Sequence, residues 1–501
     1  MADVVVVGNG AVGLSVAVEI ARRAPELKIS VIGPAERSRA ASVAAGAMLN
    51  CFGEVTTHTR RHPVSEARFA VARAALDLWP RWLAALEEDV GEAAASAVRA
   101  SWSDGTFVIM SSSSGRIAGE NFEAMCATAA ELGEPHELVA PEQVDGLAPR
   151  LGHRPLRVLH LRREGAVDGR ALVAALERAA CERGVERVPA TVRSLLRASG
   201  GAVSGVELAD GRRVAAGAVV LAAGVASGAL ADQVLPSGAV PPMLHGTGLA
   251  VTVKRVNTGP RGPHVIRTPN RAGTCGLHVV PLAGEDEQYI GATNVITFGP
   301  APGVHLGLAQ TMMRQASEQV DQTLAVSYAQ KWLIGTRPIP LDCYPLIGPC
   351  SVPGLLFATG TYRDGFHGSP AIARHLATTL LGSATREEKD IPFAHFAPER
   401  MPIETMSVPE AVDDTARHAA DTMHDQGTRM PWWLDSTPLQ EWARARVHAF
   451  YESLDEPVAL APEMVDPQFL DPQFLDPAAA GTRSVDLLRR YLRAARTHHG
   501  M

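Results

Sequence analysis

The stretch that most limits what this chain can become is its start, Val4-Val5-Val6-Val7-Gly8-Asn9-Gly10-Ala11-Val12-Gly13. Four β-branched residues in succession read as a parallel strand buried on both faces. The glycines follow at once in G-x-G-x-x-G spacing. Leu14 to Arg23 then reads as a helix and Ile29 to Ile32 as a second strand. Together these make the βαβ unit that gives a glycine triplet its meaning. Gly8 permits the tight turn, Gly10 lets a pyrophosphate approach the backbone, and Gly13 lets the helix lie close to the strand. The free N–H groups of the helix start would face the phosphates. A dinucleotide-binding α/β domain is the expectation.

The acidic residue that normally closes such a unit on the adenosine ribose is missing. Gly33 stands there, which leaves Glu36 or the backbone alone to hold the sugar. Further along, Ala41-Ser42-Val43-Ala44-Ala45-Gly46-Ala47-Met48 is a series of small residues that could run close against a flat ligand or simply pack tightly. Ala218 to Leu221 reads as another buried strand, ending on Ala222-Ala223-Gly224.

A chain of 501 residues exceeds one ordinary core. The pattern divides it into a nucleotide-binding domain (1–57, 151–239 and 334–398), a substrate domain (58–150 and 240–333) and a helical extension (399–501). In the substrate domain, Ser65 to Leu86 and Gly119 to Leu132 read as helices. Gly105 to Met110, Gly248 to Val253, Leu277 to Pro281 and Gln288 to Thr293 read as strands. A helix is expected over 307–324. In the nucleotide domain Arg187 to Val192 reads as one strand, and Ser369 as the N-cap of a helix with Pro370 first inside. The extension carries capping boxes at Ser407 and Thr437, a proline-rich linker in the repeat of Asp466 to Leu470 at Asp471 to Leu475, and a last helix, Val485 to Arg496. The leucines of that helix suggest docking, to a second copy or to a partner.

A net charge of −7 argues against a nucleic-acid surface, and no apolar run is long enough to span a membrane. The valine run lacks a basic start and is broken by glycines, unlike a signal peptide. Six scattered cysteines without metal spacing fit free thiols in a reducing cytoplasm. No metal site is expected.

Five stretches in this order resemble the D-amino-acid oxidase and glycine oxidase superfamily of FAD flavoproteins over about residues 1 to 398. They are the opening glycines; Val43-Ala44-Ala45-Gly46; Leu221-Ala222-Ala223-Gly224; Gly335-Thr336-Arg337-Pro338 with Asp342; and Thr359-Gly360-Thr361-Tyr362-Arg363-Asp364-Gly365. The resemblance implies a Rossmann-like FAD-binding domain with an interleaved α+β substrate domain. The extension has no counterpart in the family's minimal members. The FAD contacts it implies are Gly8, Gly10, Ala11, Val12 and Gly13; Ser42, Ala44, Ala45 and Gly46; Val192, Ala223 and Gly224; Gly335 and Arg337; and Gly360, Arg363, Asp364, Gly365, Phe366 and His367. Some relatives tether flavin through a cysteine, and the matching residue here is Gly335, so non-covalent FAD is expected.

The resemblance also implies the chemistry. A hydride leaves the carbon bearing the amine of an amino acid or related amine, oxygen becomes hydrogen peroxide, and the imine hydrolyses to a keto product. Arg363 is expected to fork onto a substrate carboxylate, as only a guanidinium offers two parallel donors in a fixed plane. The dull alternative is a surface arginine paired with Asp364. His278 stands where glycine oxidases carry a tyrosine, Asn294 follows Gly291-Ala292-Thr293 where relatives are often apolar, and Phe366-His367-Gly368 replaces an aliphatic run. These changes make a more polar pocket, with His278 and Asn294 as candidate catalytic residues, or His278 and His367 as ordinary packing residues. The polar pocket and the extension point to specialised metabolism. A dehydrogenase delivering electrons to a partner, or a flavoprotein scaffold without chemistry, are the competing readings.

Overall fold

Val5 and Val6 are fully buried because Ala2–Val7 has a parallel neighbour on each side. Val4 to Val7 register with Ala218 to Leu221 on one flank and with Ile29 to Ile32 on the other. The computed structural model describes residues 2–256, 262–271, 275–284, 286–382, 391–425, 435–465 and 483–500. The sheet around the first strand has eight members. Its order is Leu346–Pro349, Leu355–Thr359, Arg213–Leu221, Ala2–Val7, Ile29–Gly33 and Glu186–Pro189, with Val192–Arg197 and Val203–Leu208 extending Arg213–Leu221 as an antiparallel ribbon. The first strand is the point from which successive connections run both ways. A crevice therefore opens beyond its carboxyl end.

Helices Ala11–Arg23, Gly169–Glu182 and Ser369–Leu381 cover one face, with Pro63–Val90 laid across them. Leu14, Ile20, Leu172, Leu176, Leu376 and Trp79 make that core. Val5, Val219, Leu195, Val206 and Leu230 fill the other face.

The second sheet has ten strands. Met243–Lys254 pairs along its length with Tyr328–Pro340 on one edge, and with Val295–Thr297 and then Glu287–Gly291 on the other. The sheet continues through His278–Pro281, Val265–Arg267, Ser103–Ser111 and Pro155–Ala166 to Met48–Leu49, with His136–Val139 on Pro155–Ala166. Two stretches read with the nucleotide domain thus pair here: Pro155–Ala166, along Ser103–Ser111, and residues 334–340 of Tyr328–Pro340, which carry Gly335 and Arg337.

Local starts and stops also differ. The strand expected over 187–192 breaks at Ala190 and Thr191. The helix expected over 307–324 runs as an α-helix to Gln315 and as a π-turn over Ala316–Val320, and stops at the buried Asp321, which pairs with Arg255 at 3.1 Å and caps a separate turn, Gln322–Val326. Gly368, not Ser369, caps Ser369–Leu381, since its carbonyl accepts the Ile372 N–H (3.0 Å). Ser436 likewise replaces Thr437 as a cap, accepting from the Gln440 backbone and side chain at 3.0 Å each.

In the extension, helices Val408–Asp425, Thr437–Leu454 and Arg483–His499 close on the chain itself. Val412, Val447, Phe450, Leu488 and Leu492 form one core with Leu244, Ile296, Ile339, Leu341, Cys343 and Tyr362. The leucines read as a docking face are therefore covered internally, and Leu487 alone of that helix's leucines stays largely exposed. The Ser407 box forms: its N–H donates to Glu410 Oε2 at 2.7 Å. The duplicated proline linker lies outside the described residues. Among those described, no helix is long and apolar enough to cross a membrane, no three His, Cys, Asp or Glu side chains group to hold a metal ion, and the six cysteines are free.

Candidate active site

The crevice at the carboxyl end of the first strand is a cavity of ≈ 620 Å³. One end is the glycine turn. A Cβ on Gly8, whose φ is +120°, would lie 2.2 Å from the Ala222 carbonyl oxygen, and one on Gly13 would lie 2.1 Å from the Gly8 oxygen. Helix Ala11–Arg23 begins without a side-chain cap. The Ala11 N–H meets Ser42 Oγ at 3.0 Å, which leaves the Val12 N–H group for an anion. Ala11, Val12, Ser42, Val192, Ala223 and Gly224 line this end, with Gly8 and Gly10. Gly13 does not; it serves the helix–strand approach. The Asn9 side chain fills the space where a Cβ on Gly33 would sit, 2.4 Å from Asn9 Cγ. Glu36 is exposed and off the cavity wall, whereas Arg37 lines it, so a carboxylate at Glu36 does not reach the ribose end.

Small residues matter in the middle for a reason the sequence left open. Ala44, Ala45 and Gly46 pack against a stacked pair that lines the same cavity, His278 and Tyr289 (ring centroids 5.7 Å apart). A Cβ on Gly46 would come 2.8 Å from the Tyr289 ring, and the Tyr289 hydroxyl donates to the Ala44 carbonyl at 2.9 Å. Gly335 is held just as closely: its Cβ would lie 2.7 Å from that of Ala44.

At the far end, the loop Tyr362 to His367 is fastened by helix Pro63–Val90. Arg68 Nε lies 2.7 Å from Asp364 Oδ2, Trp79 Nε1 donates to the His367 carbonyl at 2.9 Å, and His367 Nε2 donates to the Ala72 carbonyl at 2.7 Å. Arg68 therefore takes Asp364, and the alternative pairing of Arg363 with Asp364 does not form. The Arg363 Nη2 donates to the Tyr362 hydroxyl at 3.2 Å, while its buried Nε has no partner. Burial works against the Arg363 charge. Cys275, Tyr362, Glu54 and Glu463 nonetheless hold its pKa well above the ordinary arginine value.

Asn294 stands behind this wall and not on it. Its amide nitrogen donates to the Tyr362 hydroxyl (3.1 Å) and its oxygen accepts from Arg337 (3.0 Å), which also donates to the Thr293 carbonyl (3.0 Å). Asn294 thus links two guanidinium groups, Arg337 and, through Tyr362, Arg363, both of which line the cavity. Gly360, at φ +70°, turns the chain under Pro340 and is also off the wall.

His278 lines the cavity. Its Nδ1 donates to the Gly276 carbonyl at 3.2 Å, so the neutral ring leaves Nε2 as an acceptor. Burial, then Arg267, pulls its pKa down to about 4. His367 is lowered too, chiefly by burial, and its cavity-lining ring keeps an unpartnered Nδ1.

Three residues here escaped the sequence reading. Asn50 lines the cavity with both amide atoms buried and unpartnered. Tyr289 backs the small-residue stretch. Glu54 faces Arg363, paired with the buried Arg267 and with Asn270 Nδ2 at 3.0 Å. Burial pushes the Glu54 carboxyl up, but Arg267, Arg363 and Asn270 outweigh it and bring it to about 2. Their only signal in sequence is nearness to Gly46 or to His278, which is too weak to act on alone.

The site suits FAD. The glycine cradle and the uncapped helix start suit a pyrophosphate, and Arg363, His367 and Asn50, each with a buried atom unpartnered among the described residues, line the same cavity. The comparisons agree. A curated relative, the bifunctional protein ThiO/ThiG of Nostoc sp., is 25% identical over 411 residues, 81% of this chain. The chain spans 56% of that relative's length. Among solved structures, glycine oxidase from Geobacillus kaustophilus aligns at TM-score 0.64 and 22% identity, over 80% of this chain and 98% of its own. Iminodiacetate oxidase from Chelativorans sp. aligns at 0.64 and 17%, over 80% and 100%. The model of the family described as FAD dependent oxidoreductase matches residues 3–379, and the chain, with its FAD-binding cradle, belongs to that family.

Proposed function

We propose that the protein is an FAD-dependent oxidase of amino acids or closely related amines that bear a carboxylate, with FAD held non-covalently. When bound, FAD supplies the hydride acceptor and hands the electrons to oxygen, giving hydrogen peroxide. The glycine turn, the start of helix Ala11–Arg23 and Ser42 would hold its phosphates, and Ala44 to Gly46 and Gly365 to His367 its ring.

The observation that carries this reading is Arg363. It is charged, it lines the cavity, and among the described residues it has no acidic partner and its Nε is unsatisfied. A substrate carboxylate satisfies it, and the two-point fork orients the substrate as well as binding it. Asn294 and Tyr362 position Arg363 and Arg337. His278 Nε2, an acceptor and not a charge, can take an amine N–H, which favours the neutral amine whose lone pair expels the hydride. The imine released then hydrolyses to a keto product. No side-chain base is required; the residues supply position and electrostatics. The glycine oxidase and iminodiacetate oxidase neighbours support this substrate class by likeness of fold.

Anaerobic addition of amino acids, N-alkyl glycines and simple amines to the yellow protein tests the reading. Carboxylate-bearing amines should bleach the flavin, and air should restore the colour with release of peroxide. Bleaching with reoxidation only by an added electron carrier would replace the oxidase with a dehydrogenase. A flavin that no amine bleaches would leave a scaffold.

A further inference from the structure

A second cavity, of ≈ 240 Å³, adjoins the first. The two share Asn50, Glu54, Tyr362, Arg363 and Asp364 as common walls. The far wall comes from the extension: Ile403, Met406, Asp414, Leu460, Ala461 and Glu463. None of these lies in residues 3–379, the part that matches the family, and the solved glycine oxidase is matched over 98% of its own length by only 80% of this chain. One wall of this chamber is therefore built by residues outside the family match, and the rest by residues within it.

Its charges are unequal in what holds them. Glu54 has Arg267, Glu120 has Arg417, Asp342 has Arg400, Asp364 has Arg68, and Asp414 has His58, His418 and Arg417. The cations on the wall are engaged as well: Arg68, Arg417 and His58 by those acids, and Arg271 by partners of its own. Glu463, in the turn Pro462–Met464, has no hydrogen bond or ion pair among the described residues. Its charge nonetheless bears on Arg363 and Tyr362. Glu463, without a partner among the described residues, and Arg363, without an acidic one among them, line the same chamber and suit the two ends of a ligand that carries both charges.

We propose that this chamber is a distal substrate subsite, and that the amine carboxylates taken by the enzyme carry a second, cationic nitrogen that donates to Glu463. The inference rests on the oxidase reading above. The extension then acts as a specificity wall, admitting substrates longer than glycine and selecting those with a distal ammonium.

The test compares chains of equal length with and without that nitrogen, both enantiomers of ornithine against norvaline and of lysine against norleucine, by anaerobic flavin reduction. Binding is measured separately by the shift in flavin absorption on titration with 5-aminopentanoate against pentanoate. The parent should prefer the cationic member in both assays by about tenfold or more, the scale of one charge-assisted hydrogen bond. Glu463→Gln should erase that preference, and Ala461→Phe, which narrows the chamber without touching the acid, should lower the ratio of long to short substrates. No preference in the parent, or a preference that survives Glu463→Gln, overturns the subsite. If short amino acids bleach the flavin while the distal nitrogen makes no difference, only the subsite falls. If no amine bleaches it, the oxidase reading fails and the subsite falls with it.

Discussion

Asn294 and His278 show how side chains can matter to a cavity without equal access to it. Asn294 is buried behind the wall, where its amide serves Tyr362 and Arg337 at once. Asn294→Leu leaves the Tyr362 hydroxyl and one Arg337 nitrogen each short of a partner. Loss of ordinary hydrogen bonds costs about 0.5–1.5 kcal/mol each, so KM for amino acids should rise several-fold while kcat changes less. Steady-state kinetics check this, and an unchanged KM would remove Asn294 from the positioning network. For His278 the consequence is in stability. Its pKa in the fold, about 4, lies below the ordinary 6.5, so unfolding takes up a proton between those values. The contribution is complete above pH 6.5 and is lost as pH falls through 4, a loss on the order of 3 kcal/mol. His278→Gln should flatten the fall in denaturation midpoint across that window, and an unchanged slope would contradict the assignment of a buried neutral ring.

At the scale of elements, the opening βαβ unit was legible because its cause is local: a valine run, glycine spacing and a helix period lie within the first 33 residues. Gly13→Val sets a branched side chain where even a Cβ lies 2.1 Å from the Gly8 oxygen, and purified protein should carry little or no FAD. Fluorescence of the released flavin measures this. The extension's helices were readable too, the first from its Ser407 box and the last from its leucines, although Ser436 and not Thr437 caps the middle one. What they pack on was not, because the partners are distant in sequence. Asp421 illustrates this: its carboxylate accepts the N–H groups of Arg116 (2.9 Å) and Ile117 (2.8 Å) and so caps helix Arg116–Glu131 from 305 positions away. Asp421→Ala should lower stability by about 0.5–2 kcal/mol, the usual range for a lost cap, read from the denaturant midpoint. Similarly, the identity of Pro155–Ala166 as a member of the second sheet depends on pairing with Ser103–Ser111, which no short pattern records.

Across the whole molecule, the two sheets meet at one cavity and the extension closes a second beside it. That the glycine turn and Arg363 would face one cavity was legible in the sequence, because glycine spacing and a guanidinium have few other uses in such a loop. The rest depended on three-dimensional neighbours: which acid Arg68 takes, where the Asn50 amide points, and that Glu54 faces Arg363. The cofactor's attachment is a further property of the assembled site. Gly335 offers no thiol, although Cys275 lines the cavity, and acid precipitation should release all of the FAD into solution; flavin retained in the pellet would indicate a covalent bond.

The central claim is that Arg363 orients a carboxylate-bearing amine beside the flavin. The most direct measurement is the rate of anaerobic flavin reduction by an amino acid and by its decarboxylated amine, in the parent and in Arg363→Ala. The account predicts that the variant loses on the order of 100-fold in kcat/KM for the amino acid, in line with broken charge-assisted bonds, and far less for the amine. Equal losses for both substrates would contradict it.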